Sequence, residues 1–430
     1  MLTQVRRLRL GFYCEAVAKS ASVFPFPFMS EKSSNHRGLI VLLGLLTAFG
    51  PMSIDMYLPA FPAIAQEFGV DIAAVQYTLA AYNVGLALGQ LLYGPLADQW
   101  GRKPNLLAGM ALYAVAALGC AWAGSVNSLV LLRLLQAIGG CTGMVLARAI
   151  VRDKFEGNEA ARVFSTMMLV MGVAPILAPT VGSFLVTLGS WRLIFQVLAG
   201  LTLVGIVLVL PETLPAERRN PNAVRRAFST YADLLRDRAF VGYSLTAGMM
   251  QAAMFAYITG SSFVFTQVFG LSAQQFGLFF GLNASGLIAA SQLNNRLLRR
   301  FSFQQILRGI TVVSLLAGLA LVALAYTGWG GIYGIAGPVF VMVSSVGFTS
   351  PNATAGALQR HAQQAGSASA LFGTLMYSCG AVAALAVSVL ANGTVVPMAA
   401  VMAGCAATAC VLYRWLVVRQ HKPVPGQAPA

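Results

Sequence analysis

Apolar stretches of about 20 residues recur along this 430-residue chain, and their repetition constrains the fold more than any other feature. A helix that crosses a bilayer needs about that length, and only helices or closed barrels satisfy their backbone polar groups there. A barrel would show short alternating segments of about ten residues instead. The sequence therefore predicts an all-α membrane protein with twelve transmembrane helices, called here the first to twelfth spans, at residues 38–62, 74–95, 105–123, 128–151, 162–186, 192–211, 240–264, 275–297, 305–326, 331–355, 366–391 and 394–418.

The composition agrees with a lipid environment. Hydrophobic residues make up 57% of the chain and charged residues 10%, whereas a soluble domain carries about 25% charged residues. The net charge of +15 would suggest nucleic-acid binding in a soluble protein. Here the basic residues fall in the tails and in alternate loops, and the other loops hold essentially Arg192 alone. This asymmetry follows the positive-inside rule, so we expect a multi-pass protein of the cell inner membrane with both termini cytoplasmic and no nucleic-acid partner.

A polar segment at 212–239 divides the spans into two groups of six. It contains Pro215 and Pro221 and favours one amphipathic helix near 222–236. A weak repeat with a shift of 200 residues places "NNRLLRRFSFQQILRG" opposite the loop after the second span, which supports two pseudo-symmetric bundles. We predict a tail at 1–37, a six-helix bundle at 38–211, a linker at 212–239, a second bundle at 240–418 and a tail at 419–430. For residues 1–28 two interpretations stay open: a natural start at Met29, or a disordered cytoplasmic tail.

One acid, Asp55, lies clearly inside a predicted span. An ionisable group in lipid is costly unless it is partnered, and is by default a functional hypothesis. Arg133, in the fourth span, is the expected partner, because both residues stand about 25 Å above the cytoplasmic ends of their helices, at about 1.5 Å per residue. The pair is interpreted either as a static salt bridge or as a proton-coupling site. Pro51 and Pro59 flank Asp55 and predict kinks in the first span.

The stretch "GPLADQWGRKP", between the second and third spans, concentrates polar residues between two apolar helices. Gly94 and Gly101 allow a tight turn, and Asp98 suits the N-terminus of a following turn. Arg102 is placed to reach an acid on a neighbouring helix end, for which Asp153 is the best candidate. The pattern predicts a charged latch between Arg102 and Asp153, next to a turn that contains Gly94, Asp98 and Gly101.

Small residues and prolines mark the fifth span, in "MGVAPILAPTVGSFL". They allow close helix contact and bending, and the candidates are Gly172, Pro175, Pro179 and Gly182. A cargo cavity is expected between the halves near midplane. Its candidate lining residues, for which ordinary helix packing is the alternative, are Tyr57, Tyr82, Asn83, Gln136, Met144, Met249, Gln251, Phe255, Tyr257, Asn283, Asn352 and Tyr377.

The sequence lacks the residues that other classes of function require. The six cysteines and three histidines have neither metal-site nor disulfide-framework spacing, so no metal is expected. The spans show no Ser/His set, paired acids or metal-spaced histidines, so we expect no enzyme. A channel would need charge rings or a selectivity filter, which the sequence does not show.

At these motifs the sequence resembles the major facilitator superfamily. "GPLADQWGRKP" is similar to its loop signature, "RLLQAIGG" to the arginine motif of proton-driven drug exporters, and "GVAPILAPTVG" to their antiporter motif, with Ala178 where a glycine is usual. "SIDMYLPAFP" and "ETLPAERR" look most like the bicyclomycin-resistance (Bcr/CflA) branch.

The resemblance implies the two-bundle major facilitator fold and a proton-coupled antiporter that exports drug-like small molecules by alternating access. It implies roles in proton coupling for Asp55 and Arg133, and the proton gradient as driving force with no cofactor. It also implies a loop signature made of Gly94, Asp98, Gly101, Arg102 and Lys103, with Asp153 as its partner. We expect the protein to be a monomer in the lipid bilayer. A dedicated exporter of a metabolite, such as an amino acid or a sugar, is the alternative.

Overall fold

The computed structural model describes residues 34–155, 157–207, 212–359, 361 and 364–418. The predictions for the two tails, including the start at Met29, lie outside these residues. The chain divides into two compact units, Met1–Val41 and Leu42–Ala430, and the second unit holds all the sites described below.

Within the described residues every predicted span coincides with helical segments, and the prediction of an all-α membrane protein is confirmed. By length and composition, nine helices of the described part could cross a membrane, or up to ten if the bent pair Leu177–Leu188 and Arg192–Val207 counts as one span. The helices of the twelve spans are, in order, Ser34–Asp55 with Phe61–Phe68, Ile72–Trp100, Arg102–Ala121, Val126–Lys154, Gly157–Leu188, Arg192–Val207, Arg238–Ser262, Ala273–Leu297, Phe303–Thr327, Gly331–Leu358, Ala365–Val389 and Val396–Leu412.

The first span is broken at Asp55. Its first helix contains Pro51 and ends at Asp55, a 3-10 turn covers Leu58–Ala60, and the helix Phe61–Phe68 follows. Pro59 has no N–H to donate to the Asp55 carbonyl, four residues earlier. The kink that the sequence predicts is therefore a break in the helix, with the acid at its edge.

Glycines bring the spans of the first half into backbone contact. A Cβ added at Gly85 would lie 2.7 Å from the Cβ of Ala137, and one at Gly89 would lie 2.5 Å from the Cβ of Cys141. These two glycines, four residues apart on the second span, thus let it pack closely against the fourth span. Gly143 of the fourth span contacts the Leu46 backbone in the same way.

The two groups of six spans meet along two seams, where the second span packs on the eleventh and the fifth on the eighth. Thr374 Oγ1 donates to the Ala87 carbonyl at 3.2 Å on the first seam. A further contact joins the seventh span to the break in the first, where Ser262 Oγ donates to the Leu58 carbonyl at 3.1 Å.

The linker contains the predicted amphipathic helix, at Ala223–Arg236, called here the linker helix. Its buried face packs against the second, seventh and eleventh spans, so the linker helix contacts both groups of helices. That face consists of Ala223, Ala227, Tyr231 and Leu234. The end of the molecule that carries these contacts is called the linker end.

The second span is longer than predicted and runs to Trp100, through Pro95. The expected turn at Gly94 is wrong, and Asp98 lies in the last turn of this helix instead of at the start of the next one. Pro95 leaves the Leu91 carbonyl without its helical donor. Tyr231 Oη of the linker helix donates to that carbonyl at 3.0 Å, so the helix continues with its backbone satisfied.

Candidate functional site

Asp55 is buried, with 4% of its surface exposed, at the break in the first span. No described residue gives its carboxylate a hydrogen bond or an ion pair. The carboxylate lies within electrostatic reach of the Tyr257 hydroxyl on the seventh span. Asn283 Nδ2 of the eighth span donates to that hydroxyl at 3.0 Å. Asp55 therefore faces the second half of the molecule.

The predicted ion pair between Asp55 and Arg133 is not formed among the described residues. Arg133 instead donates from one terminal nitrogen to the Ser53 carbonyl at 2.9 Å and from the other to Gln136 Oε1 at 2.6 Å. Side chains two residues apart on a helix point about 200° apart. Ser53 faces the third span, where its hydroxyl lies 2.5 Å from the Tyr113 hydroxyl. The acid consequently points away from Arg133, although the two residues share a depth.

Aromatic rings surround the Arg133 guanidinium, which is fully buried. Its central carbon lies 4.1 Å from the ring centroid of Tyr82, 4.7 Å from that of Tyr57 and 5.6 Å from that of Phe195. The electron-rich faces of aromatic rings attract a cation at these distances. Within the described residues, Arg133 Nε and Gln136 Nε2 have no hydrogen-bond partner. We call Tyr57, Tyr82, Gln136 and Phe195, which surround Arg133, the arginine cage.

Three of the predicted cavity residues, Tyr57, Tyr82 and Gln136, therefore belong to the arginine cage inside the first half. Asn83 is also buried, its Nδ2 donates to the Leu79 carbonyl at 3.0 Å, and its cavity role stays a prediction. The sequence could not separate a helix face that turns into its own bundle from one that turns to the other half. Both faces use the same aromatic and amide residues.

Other predicted cavity residues do meet between the halves. The Tyr377 hydroxyl lies 4.0 Å from the Met144 sulfur, across the boundary between the eleventh and fourth spans. The rings of Phe255 and Tyr377 are 6.1 Å apart. For Met249 and Gln251, on the seventh span, the cavity role stays a prediction.

Asn352 lies elsewhere. Its Nδ2 donates to Asn294 Oδ1 at 2.7 Å, and both residues are buried. This amide pair joins the eighth and tenth spans within the second half, so a cargo-lining role for Asn352 does not fit its position.

The signature loop contains the predicted contact between Arg102 and Asp153. Arg102 Nε donates to Asp153 Oδ2 at 2.9 Å, and a terminal nitrogen donates to Asp98 Oδ1 at 2.6 Å. The Arg102 side chain is 4% exposed and that of Asp153 15%. The neighbouring Lys103 side chain is exposed. The latch role of this group stays a prediction.

Glu212, at the start of the linker, binds this loop and was missed by the sequence analysis. Its carboxylate accepts the backbone N–H of Arg102 at 2.9 Å and of Lys103 at 3.3 Å, at the first turn of the third span. Backbone groups of Thr213 and Leu214 also donate to it. Burial raises the pKa of Glu212, but these four hydrogen bonds outweigh it and hold the pKa below its ordinary value. An acid directly after the sixth span was the available signal, because a helix N-terminus attracts an anion.

Gly101 links the two parts of the loop. Its φ of 100° is a conformation that favours glycine. A Cβ at this position would also meet the Glu212 carboxylate and would lie 2.9 Å from an Arg219 terminal nitrogen. Gly94, by contrast, has only the Ala370 Cβ nearby, at 3.9 Å. Gly101 is therefore the glycine on which the loop depends.

On the fifth span, Gly182 packs against the break in the first span. A Cβ there would meet the Met56 carbonyl and lie 2.9 Å from the Met56 Cα. Pro179 is buried on the same helix. Gly172 and Pro175 lie on this helix too, but their surroundings are outside the described part of the structure.

The sequence profile of the Major Facilitator Superfamily matches residues 43–385. The chain belongs to this superfamily. Its similar proteins are transporters, so this member is a multi-pass membrane transporter rather than an enzyme. It is 36% identical to an uncharacterized MFS-type transporter, YdgK, of Bacillus subtilis, over 85% of this chain and 91% of that protein. It is 33% identical to a bicyclomycin resistance protein homolog of Haemophilus influenzae, over 89% and 97%.

Multidrug resistance protein D of Escherichia coli is 29% identical to this superfamily member, over 80% of this chain and 86% of that protein. Solved structures show the same fold. A peptide transporter matches with a TM-score of 0.71 and 16% identity, over 89% of this chain and 94% of that one. The xylose transporter XylE of E. coli matches with a TM-score of 0.68 and 13% identity, over 91% and 99%. The prediction of the major facilitator fold is confirmed.

Proposed function

We propose that the protein exports drug-like small molecules across the inner membrane in exchange for protons, by alternating access of a cavity between its two halves. Both termini would lie in the cytoplasm, as the basic loops indicate, and the transporter would act as a monomer without a cofactor. Relatives named for bicyclomycin and multidrug resistance support drug-like cargo.

The observation that carries the proposal is the setting of Asp55. It is an acid within a span, it is 4% exposed, and no described residue neutralises it. An unpartnered charge at membrane depth is costly, so the acid would hold a proton while the site is closed. Water that enters when the cavity opens would stabilise the carboxylate and release the proton.

The break in the first span gives this proton a mechanical consequence. Asp55 is the last residue of the first helix, and Leu58, three residues later, accepts a hydrogen bond from Ser262 of the other half. A charge that appears or disappears at Asp55 would therefore act next to a contact that the two halves must break to rock apart.

Arg133 has a different role in this proposal from the one that the sequence suggests. It would hold the end of the first helix through the Ser53 carbonyl and keep the break in place. Its charge would be stabilised by the aromatic rings and hydrogen-bond acceptors around it and not by Asp55. We therefore expect Arg133 to position the proton carrier without setting its charge.

The experiment is proton release from everted membrane vesicles, measured against a panel of antibiotics for the wild-type protein and the Asp55→Asn variant. The amide is similar in size to the carboxyl group and does not titrate, so we expect coupled export to be lost while the protein still folds. Asp233→Asn, which removes an exposed acid of the linker helix, is the matched control and should transport normally.

Retention of uphill export of every tested compound by Asp55→Asn would refute the proposal. A wild-type protein that exports one metabolite, such as an amino acid or a sugar, and no antibiotic would refute drug export in favour of a dedicated exporter. Loss of export in Asp233→Asn as well would point to a general effect of surface charge and not to coupling at Asp55.

A further inference from the structure

A second cavity lies at the end of the molecule opposite the linker helix. It is about 330 Å³ in volume and sits between the second, seventh, eleventh and twelfth spans. The second span begins there at Ile72, and its far end, near Gln99, contacts the linker helix. Those two ends are about 40 Å apart at about 1.5 Å per residue. Neither Asp55 nor Arg133 lines this cavity, which we call the outer-end cavity.

A buried amide points to a ligand in the outer-end cavity. Gln76 lines the cavity and is 3% exposed. Its Oε1 is buried and has no hydrogen-bond partner among the described residues. A buried polar atom of this kind is usually satisfied, because leaving it unpaired costs about 1–3 kcal/mol. Gln76 therefore offers an acceptor to a molecule that enters the cavity.

The charge of the wall favours a cation. Asp71 is the one acid among the described lining residues, and none of these residues is a lysine or an arginine. Asp71 immediately precedes the second span, but its side chain makes no capping hydrogen bond to that helix. Its carboxylate is thus available to a ligand at the rim of the cavity.

The rest of the cavity interior is apolar. It is lined by Phe263 and Val264 of the seventh span and by Val387 and Met398 of the last two spans. Pockets for small molecules combine such walls with a few polar groups and start at about 300 Å³. The volume and the lining therefore fit a molecule with one aromatic ring and a short polar end.

We propose that the outer-end cavity binds small aromatic ammonium ions, whose charge faces Asp71 and whose N–H donates to Gln76 Oε1. This inference rests on the proposed function only in treating such an ion as cargo that leaves through this end. Binding itself does not depend on Asp55. The site would hold the cation after the central cavity has released it.

The test uses the full protein in detergent and a cysteine at the rim. Asn392 lines the cavity and is exposed, so the Asn392→Cys variant reports occupancy through its rate of labelling by a thiol reagent. The probe is protonated N,N-diethylbenzylamine. Its neutral comparator is N,N-diethylbenzamide, which has nearly the same size. The parent protein gives the background from native cysteines, and Tyr333→Cys, exposed and not part of the lining, is the matched control.

We expect the amine to slow labelling of Asn392→Cys about fivefold at about four times its dissociation constant, since protection follows one plus the ratio of ligand to dissociation constant. The benzamide should protect much less, and labelling of Tyr333→Cys should not change. Adding Asp71→Asn or Gln76→Leu should raise the dissociation constant of the amine, calculated from the protection, about threefold or more. Adding Asp55→Asn should leave it intact.

Unchanged labelling of Asn392→Cys at saturating amine would overturn the inference. Equal protection by the benzamide would refute the choice of a cation, and equal slowing at Tyr333→Cys would show a non-specific effect. Protection that disappears with Asp55→Asn would place the ligand at the central site instead. If proton-coupled export fails in vesicles but protection persists, the proposed function is wrong and the outer-end site stands.

Discussion

At the linker end of the first half, Arg102 joins the second and fourth spans with charged bonds to Asp98 and Asp153. At the corresponding end of the second half, the eighth and tenth spans are joined by the neutral amide pair of Asn294 and Asn352, at 2.7 Å. Asn352 stands close to where a shift of 200 residues would place the counterpart of Asp153. Equivalent contacts between spans are thus made by salt bridges in the first half and by an uncharged amide pair in the second.

The difference concerns what water can do to each contact. Salt bridges at a partly exposed site weaken when water or ions reach them, and the side chain of Asp98 is 45% exposed. The amide pair is buried and carries no charge, so pH and salt should have little effect on the strength of this contact. Under the proposed function we therefore expect the salt bridges of the first half to open during transport, and the amide pair of the second half to stay closed.

Removing Arg102 should have the largest effect. Arg102→Gln leaves the partly buried Asp153 carboxylate without its cation, and breaking such a pair from one side costs about 3–5 kcal/mol. We expect a loss of about 3 kcal/mol in the free energy of unfolding. Denaturant unfolding of the protein in detergent measures this loss. The double variant with Asp153→Asn should recover part of it. Simple addition of the two single losses would contradict the pairing.

Removing the amide pair should have a smaller effect that does not depend on pH. Asn352→Ala leaves the buried Asn294 Oδ1 without a donor, at a cost of about 2 kcal/mol. Because neither amide titrates, the same loss is expected at pH 6 and pH 8. The measurement is the same unfolding experiment at both values, and a loss that changes with pH would show that a charged group takes part.

Glu212 adds a charged contact at the linker end whose contribution to stability can be tested by lowering the pH. Its pKa is lowered in the folded protein, so its contribution to stability is present above its ordinary pKa of about 4.3 and is lost as the pH falls through the lower, folded value. Glu212→Gln should reduce the free energy of unfolding by about 1.5 kcal/mol at pH 7. Wild type and variant should converge once the pH has fallen below the folded pKa of Glu212. A gap that persists in acid would exclude the carboxylate as the cause.

The Tyr231 hydroxyl should have the smallest effect. Burial and, less strongly, Asp98 raise the pKa of Tyr231 to about 12, so it is a donor at neutral pH. Tyr231→Phe removes the bond to the Leu91 carbonyl, at about 1 kcal/mol. In a Pro95→Ala background the helix supplies its own donor, so the same change should have a smaller effect there. An equal loss in both backgrounds would contradict the link to Pro95.

The positions of the helices were predictable because each span needs its own apolar run. The contact between Arg102 and Asp153 was predictable because opposite charges beside a glycine turn have few other partners. The pair of Asp55 and Arg133 was not, because depth along a helix says nothing about the direction in which a side chain points. Asn352 was assigned to the cavity because an amide in a span looks the same in a pore and in a packed pair.

The break in the first span and the extension of the second have one cause in common. A proline withdraws a donor, and the result depends on whether another part of the chain replaces it. At Pro95 the replacement is Tyr231, which no local pattern near position 95 could reveal. The sequence therefore predicted an end where the folded chain has a continuous helix.

The bond between Tyr231 and Leu91 spans 140 residues of sequence. At a ribosomal rate of about 5–20 residues per second, the tyrosine is made about 7–28 s after the carbonyl it serves. During that interval the growing chain carries a second span whose backbone is incomplete, and water at the membrane surface must occupy the position. The last turns of that span can reach their final form only after the first six spans have been synthesised.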